Sequence, residues 1–168
     1  VGLGQQFGNN IAGDVRTVEL AAADLDGLHD DYKRAHAAGP AGTVVLTTNN
    51  TDYIPFMTYA TSSKAREAFW KVYRLRGHPK NLAVLARMLE VRRELAGLLG
   101  FDTWADYITD DKMIGSRDGA ARFIDRIAGA AAQRAATDYA RILARERRDD
   151  PSARRVDAWD SAYLQEKI

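Results

Sequence analysis

Apolar positions recur at helical spacing along most of the chain, and the exceptions are short. Leu3, Phe7 and Ile11 share one face of a helix that Gly13 is placed to end. Between Ala23 and His36 the pattern predicts two short helices parted at Gly27, closed by Gly39-Pro40-Ala41-Gly42. Thr43 to Thr48 is a β-branched run between turn residues and is the clearest strand; Val18 to Leu20 is a second, weaker one. After Asn49 the helical period returns. Ser62 or Ser63 is placed to cap a helix reaching about Arg76, and Pro79 opens the next one. In that helix Leu82, Leu85, Leu89, Leu95 and Leu99 take one face, Arg87, Glu90, Arg93 and Glu94 the other, and Gly100 supplies the stop. Ser116 caps a long helix striped by Phe123, Ile124, Ile127, Ala131, Tyr139, Ile142 and Leu143, which fades before Pro151. At 1.5 Å per residue, about 30 residues reach roughly 45 Å. Trp159 to Ile168 reads as a final helix.

The expected fold class is therefore mainly α with one or two short β-strands. With no Pro/Gly/Ser linker and no internal repeat, residues 1–168 read as a single helical region. The length suits one domain, and 46% apolar with 28% charged residues is a globular composition. A net charge of +1 supplies no general drive toward nucleic acid or an anionic membrane, so neither is expected as a partner. Cysteine is absent, which excludes disulfides, thiolate metal sites and cysteine nucleophiles and is compatible with the cytoplasm, the expected location. No run approaches the roughly 20 apolar residues of a membrane span, and the start lacks the features of a signal peptide. A start without Met and an end inside a helical pattern make an excised segment the expectation.

Candidate chemistry is sparse. His29, His36 and His78 are the only histidines, and His29 and His36 would stand roughly 10 Å apart along a helix, too far to share one metal ion. No His-Glu-x-x-His occurs. Gly2 to Gly8 misses the dinucleotide spacing and follows no strand, and Ser116 between Gly115 and Gly119 opens a helix rather than a nucleophile elbow. The pairs Asp30-Asp31, Asp110-Asp111 and Asp149-Asp150 point about 100° apart on a helix and form no acid/base dyad. The Arg141 to Arg155 cluster falls at a helix end, where the dipole favours cations. Tyr53, Phe56, Met57, Tyr59, Phe69, Trp70 and Tyr73 make an aromatic belt that serves either as core or as the wall of a cleft.

Read in order, these patterns resemble the thimet oligopeptidase family, which includes neurolysin, oligopeptidase A and peptidyl-dipeptidase. The resemblance rests on Leu3-Gly4-x-x-Phe7-x-x-Asn10, Leu25-x-Gly27-Leu28, Val45-Leu46-Thr47 and Asp52-Tyr53-Ile54-Pro55-Phe56-Met57, the last similar to a Tyr-x-Pro turn. It continues through Ala65-Arg66-Glu67, Leu98-Leu99-Gly100-Phe101, Ala105-Asp106-Tyr107, Lys112-Met113 and Ala158-Trp159-Asp160-x-x-Tyr163, with Leu164 where a second Tyr is usual. The resemblance implies a parent zinc metallopeptidase that hydrolyses short peptides in a deep channel, its zinc lowering the pKa of a bound water. In that family the zinc ligands and the catalytic Glu, Tyr and His lie further toward the C-terminus. None maps onto this chain, so the expected catalytic and metal residues here are none. The chain is expected to form a channel wall, to bind no zinc, to be inactive alone, and to have the missing catalytic half as its partner. Val45, Thr47 and Tyr53 are the candidates for the substrate cleft, because an exposed strand edge can pair with an extended peptide. Arg66, Gly100, Trp159 and Asp160 are the structural residues of the family motifs, with Arg66 and Asp160 as ion-pair partners. The alternative is an independent helical protein-interaction module.

Overall fold

Helix α1 spans Leu3–Ala12 in the computed structural model, which describes residues 2–168. Strand β1 (Thr17–Ala21) follows, then a 3-10 turn at Ala22–Leu25 and helix α2 (Asp30–Ala35). Next come β2 (Thr43–Thr47), α3 (Asn50–Tyr59), α4 (Ser63–Arg74), α5 (Lys80–Leu98), α6 (Trp104–Asp110), α7 (Arg117–Asp149) and α8 (Ser161–Glu166). The fold class is mainly α with a two-stranded sheet. Two compact units emerge, one of residues 2–10 and 78–138, the other of residues 11–77 and 139–168, so their boundary runs through α1 and α7.

The second unit holds the larger core. β1 and β2 pair antiparallel, Val18 opposite Leu46 and Leu20 opposite Val44. Val44 and Leu46 turn inward and are fully buried, while Val45 between them is 58% exposed, which is the alternation a one-sided sheet requires. Leu25, Leu28, Phe56, Met57, Ala60, Ala65 and Phe69 complete this core, each large side chain contributing roughly 1.5–3 kcal/mol by burial. Gly27 has φ +86°, and a Cβ there would lie 2.2 Å from the Tyr59 carbonyl oxygen, so glycine alone lets this loop approach α3. The Thr61 hydroxyl donates to Asp26 at 2.8 Å and holds the loop from the other side.

In the first unit Asn81 is buried, accepting from Asn10 Nδ2 at 2.8 Å and donating to the Phe7 carbonyl at 3.0 Å. Its α5 buries only Asn81, Val84 and Ala96. Leu82, Leu85, Leu89, Leu95 and Leu99, the regular apolar face of the sequence pattern, remain exposed, as do Phe123, Ile124 and Ile127 on α7. Gly100, at φ +83°, ends α5 as its position predicts.

Three boundaries differ from the pattern. The stretch read as a Tyr-x-Pro turn lies inside α3, which runs through Pro55 because burial of Phe56 and Met57 outweighs the lost amide donor. α4 stops at Arg74, and Gly77 at φ +79° turns the chain. The last helix begins at Ser161, with Trp159 and Asp160 in the turn before it.

Candidate functional site

The second unit carries the residues singled out as a substrate wall, and the strand register determines which of their backbone groups are open. Thr48 N–H donates to Arg16 at 2.8 Å and Ala22 N–H to Gly42 at 3.0 Å, so the pairs Val18/Leu46 and Leu20/Val44 are hydrogen-bonded ones. Val45 therefore belongs to a non-bonded pair with Glu19, and its N–H and C=O point away from β1. At the two ends this outer edge is closed locally. Gly39 N–H donates to the Thr43 carbonyl at 2.9 Å, and Thr47 gives both its N–H (2.9 Å) and its hydroxyl (2.6 Å) to Asp52 Oδ2. The open segment is thus short and centred on Val45.

Asp52 is held by more than Thr47. His36 Nε2 lies 3.4 Å from Asp52 Oδ1, and the Tyr32 hydroxyl donates to the Asp52 carbonyl at 2.8 Å. Burial pushes the Asp52 carboxyl up, but the Thr47 hydrogen bonds and His36 together outweigh it and hold the carboxyl below its ordinary range. Burial, then the charge of Asp52, raises the Tyr32 phenol. His36 sits at the C-terminal end of α2 and His29 at its N-terminal end. Among the described residues no three metal-binding side chains gather, so the residues present do not fit a zinc ion.

Tyr53 stands one helical residue beyond Asp52 and stacks on Tyr73, ring centroids 3.6 Å apart and 10° from parallel. Arg76 lies over the far partner of that stack, 3.7 Å from the Tyr73 centroid. Burial raises the Tyr53 phenol, with Arg74 pulling the other way. The aromatic belt divides its work: Phe56 and Phe69 are core, Met57 is core and reaches the floor of a groove bounded by α3, α4 and α8, and Tyr53 and Trp70 line that groove. Trp70 and Trp159 meet edge to face at 6.0 Å within it.

The same elements carry a buried ion pair. Arg66 Nη2 and Nε donate to Asp160 Oδ1 at 2.6 and 3.0 Å, Nη1 donates to the Ala60 carbonyl, and the guanidinium covers the Tyr163 ring at 4.1 Å. The Ser63 hydroxyl donates to Asp160 at 2.8 Å and accepts from Trp159 Nε1 at 3.2 Å. Arg66 and Asp160 are each 2% exposed, and every buried side-chain polar atom among the described residues has a partner. Gly100, in the other unit, is a helix stop and contributes no side chain to this region. Trp70, Arg74, Ser63 and Gln165 were not singled out as site residues from sequence. The aromatic belt was the signal for Trp70; nothing in the local pattern marks Gln165, which α8 brings to the groove although it is distant in sequence from α3 and α4.

The family described as peptidase family M3 matches residues 56–168. Oligopeptidase A of Salmonella typhimurium is 28% identical over 181 aligned residues, covering 98% of this chain and 26% of its own length. Thimet-like oligopeptidase of Dictyostelium discoideum is 27% identical, covering 82% of this chain and 21% of its own. Mitochondrial intermediate peptidase of Chaetomium globosum is 25% identical over 99% of this chain and 21% of its own. The chain thus spans about a fifth to a quarter of the length of these relatives.

Proposed function

The chain belongs to peptidase family M3, and from that premise we propose that it forms part of a zinc-dependent oligopeptidase that hydrolyses short peptides in a deep channel. In this reading the segment is non-catalytic and inactive alone. Zinc, when bound by the catalytic part of the enzyme, supplies an activated water there. This chain's own residues present a surface to the peptide. The observation that carries the wall assignment is the outward pair of backbone groups at Val45, a donor and an acceptor in the arrangement an extended peptide uses to add a strand. Thr47, pinned by Asp52, sets the end of that edge, and Tyr53 stands beside it.

The bare leucine face of α5 and the apolar residues of α7 fit covering by the remainder of such an enzyme. The same face favours the second reading, an independent helical interaction module, in which another protein covers it. Short peptides and the catalytic half are the proposed partners, with nucleic acid and membrane outside the proposal. No described helix is long and apolar enough to cross a membrane. A cytoplasmic setting belongs to the proposal, with the mitochondrial name of one relative marking the other compartment to test.

Hydrolysis of a quenched fluorescent peptide separates the readings. The 168-residue chain with added zinc is expected to be silent, and a chain extended through the downstream coding sequence to cleave the peptide and lose activity to a chelator. Val45→Pro in the extended chain removes one outward donor on a strand edge and should raise KM with little change in kcat. Activity in neither chain would favour the interaction module, and an unchanged KM would remove Val45 from the peptide surface.

A further inference from the structure

The groove between α3, α4 and α8 combines aromatic walls with one cation and no acid. Its lining runs from Tyr53 and Ile54 through Trp70 and Arg74 to Trp159 and Gln165, and no Asp or Glu contributes. Both tryptophans are half-buried, so each offers part of a ring to a ligand. Trp159 is not free to turn away, because its N–H is spent on Ser63 Oγ, which is itself fastened to the buried Asp160. Tyr53 is equally fixed by its stack on Tyr73. The walls are therefore preorganised, and a flat or apolar side chain resting against them would order few protein groups.

Arg74 supplies the second half of the recognition. Its guanidinium lies 5.5 Å from the Trp70 centroid and is exposed. The end of α4 favours a cation there, and stacking on Trp70 orients it. Neither satisfies its in-plane donors. Among the described residues Arg74 has no carboxylate partner, unlike Arg66, Arg87 and Arg134, which are all paired. A planar fork of donors beside an aromatic wall matches a carboxylate attached to an apolar or aromatic side chain.

We propose that this groove binds the free C-terminal residue of an apolar peptide, its side chain resting against the touching rings of Trp70 and Trp159 and its α-carboxylate on Arg74. The assignment rests on the peptide-hydrolase reading for the source of the ligand and on the groove alone for its chemistry. It places specificity for a peptide end, rather than for its interior, on this segment.

The test is a titration of the 168-residue chain carrying Trp104→Phe, which leaves Trp70 and Trp159 as the only fluorophores of their kind. N-acetyl-phenylalanine and N-acetyl-phenylalaninamide are the two probes. The acid should shift the tryptophan emission saturably and bind about fivefold more tightly than the amide at low salt, a preference that added salt reduces. Arg74→Gln should abolish the preference, Arg74→Lys should keep part of it, and Trp70→Ala should weaken both probes alike. Equal binding of acid and amide, or no saturable shift for either, would overturn the assignment. The measurement needs no hydrolysis. If the acid binds while the extended chain cleaves no peptide, only the peptidase reading fails; if the extended chain cleaves peptides and the acid does not bind, only the groove assignment fails.

Discussion

Replacing Asp160 by Ala would leave the Arg66 guanidinium in the core without its hydrogen-bonded carboxylate, with the Ala60 carbonyl, the Tyr163 ring and the more distant charge of Glu146 as partners. At 2% exposure water cannot reach the charge without opening the packing of α3, α4 and α8. Breaking a buried pair from one side costs about 3–5 kcal/mol, against a typical total stability of about 5–15 kcal/mol. The same change removes the acceptor of Ser63 and so loosens Trp159, which makes the loss visible in tryptophan emission. Urea unfolding followed by fluorescence should therefore show Asp160→Ala with a midpoint far below that of the natural chain. Arg66→Met should do the same by leaving the carboxylate buried. The double variant Arg66→Met with Asp160→Leu removes both charges, and its cost should fall well below either single, because an apolar pair of similar volume spares both desolvation penalties. A loss under about 1 kcal/mol in Asp160→Ala, or a double variant as unstable as the singles, would refute the claim that desolvation governs this pair.

Burial, then the charge of Asp160, raises the Glu146 carboxyl above its ordinary range, so ionising it costs stability as pH rises out of the acid range; Glu146→Gln should be more stable than the natural chain at neutral pH, and the gain should vanish below the usual glutamate pKa in matched urea titrations. Asp52 has the opposite sign: its depressed carboxyl contributes stability at neutral pH that is lost as pH falls below the ordinary carboxylate range, so the advantage over Asp52→Asn should shrink on acidification. Gly27→Ala combines a positive φ with a 2.2 Å clash on the Tyr59 carbonyl and should cost at least about 2 kcal/mol in the same unfolding assay, whereas Gly97→Ala, in open space on α5, should be neutral or slightly stabilising. The uncovered α5 and α7 faces predict concentration-dependent self-association in sedimentation, and a monodisperse monomer with little dye-binding surface would count against it.

Much of this molecule was legible in the chain because its signals are local. Periodicity placed α5 and α7, Ser62 and Ser116 cap their helices as their side chains allow, and the β-branched run from Thr43 became β2. The family resemblance was equally legible, since it rests on the order of short motifs, and it agrees with the M3 match over residues 56–168. Other features required distance in sequence to be closed. That Val45 rather than its neighbours turns both backbone groups outward follows from the register with β1, which no single strand specifies. Which aromatics of the belt are core and which line a groove depended on where α8 packs, as did the meeting of Arg66 with Asp160, 94 residues apart. The leucine face of α5 carries the opposite lesson, because a helical stripe predicts that something apolar should lie against it and cannot say that the neighbouring chain leaves it bare. Hydrogen bonds between near neighbours and side-chain period are set by sequence alone, whereas burial and pairing are set by whatever the folded chain brings alongside.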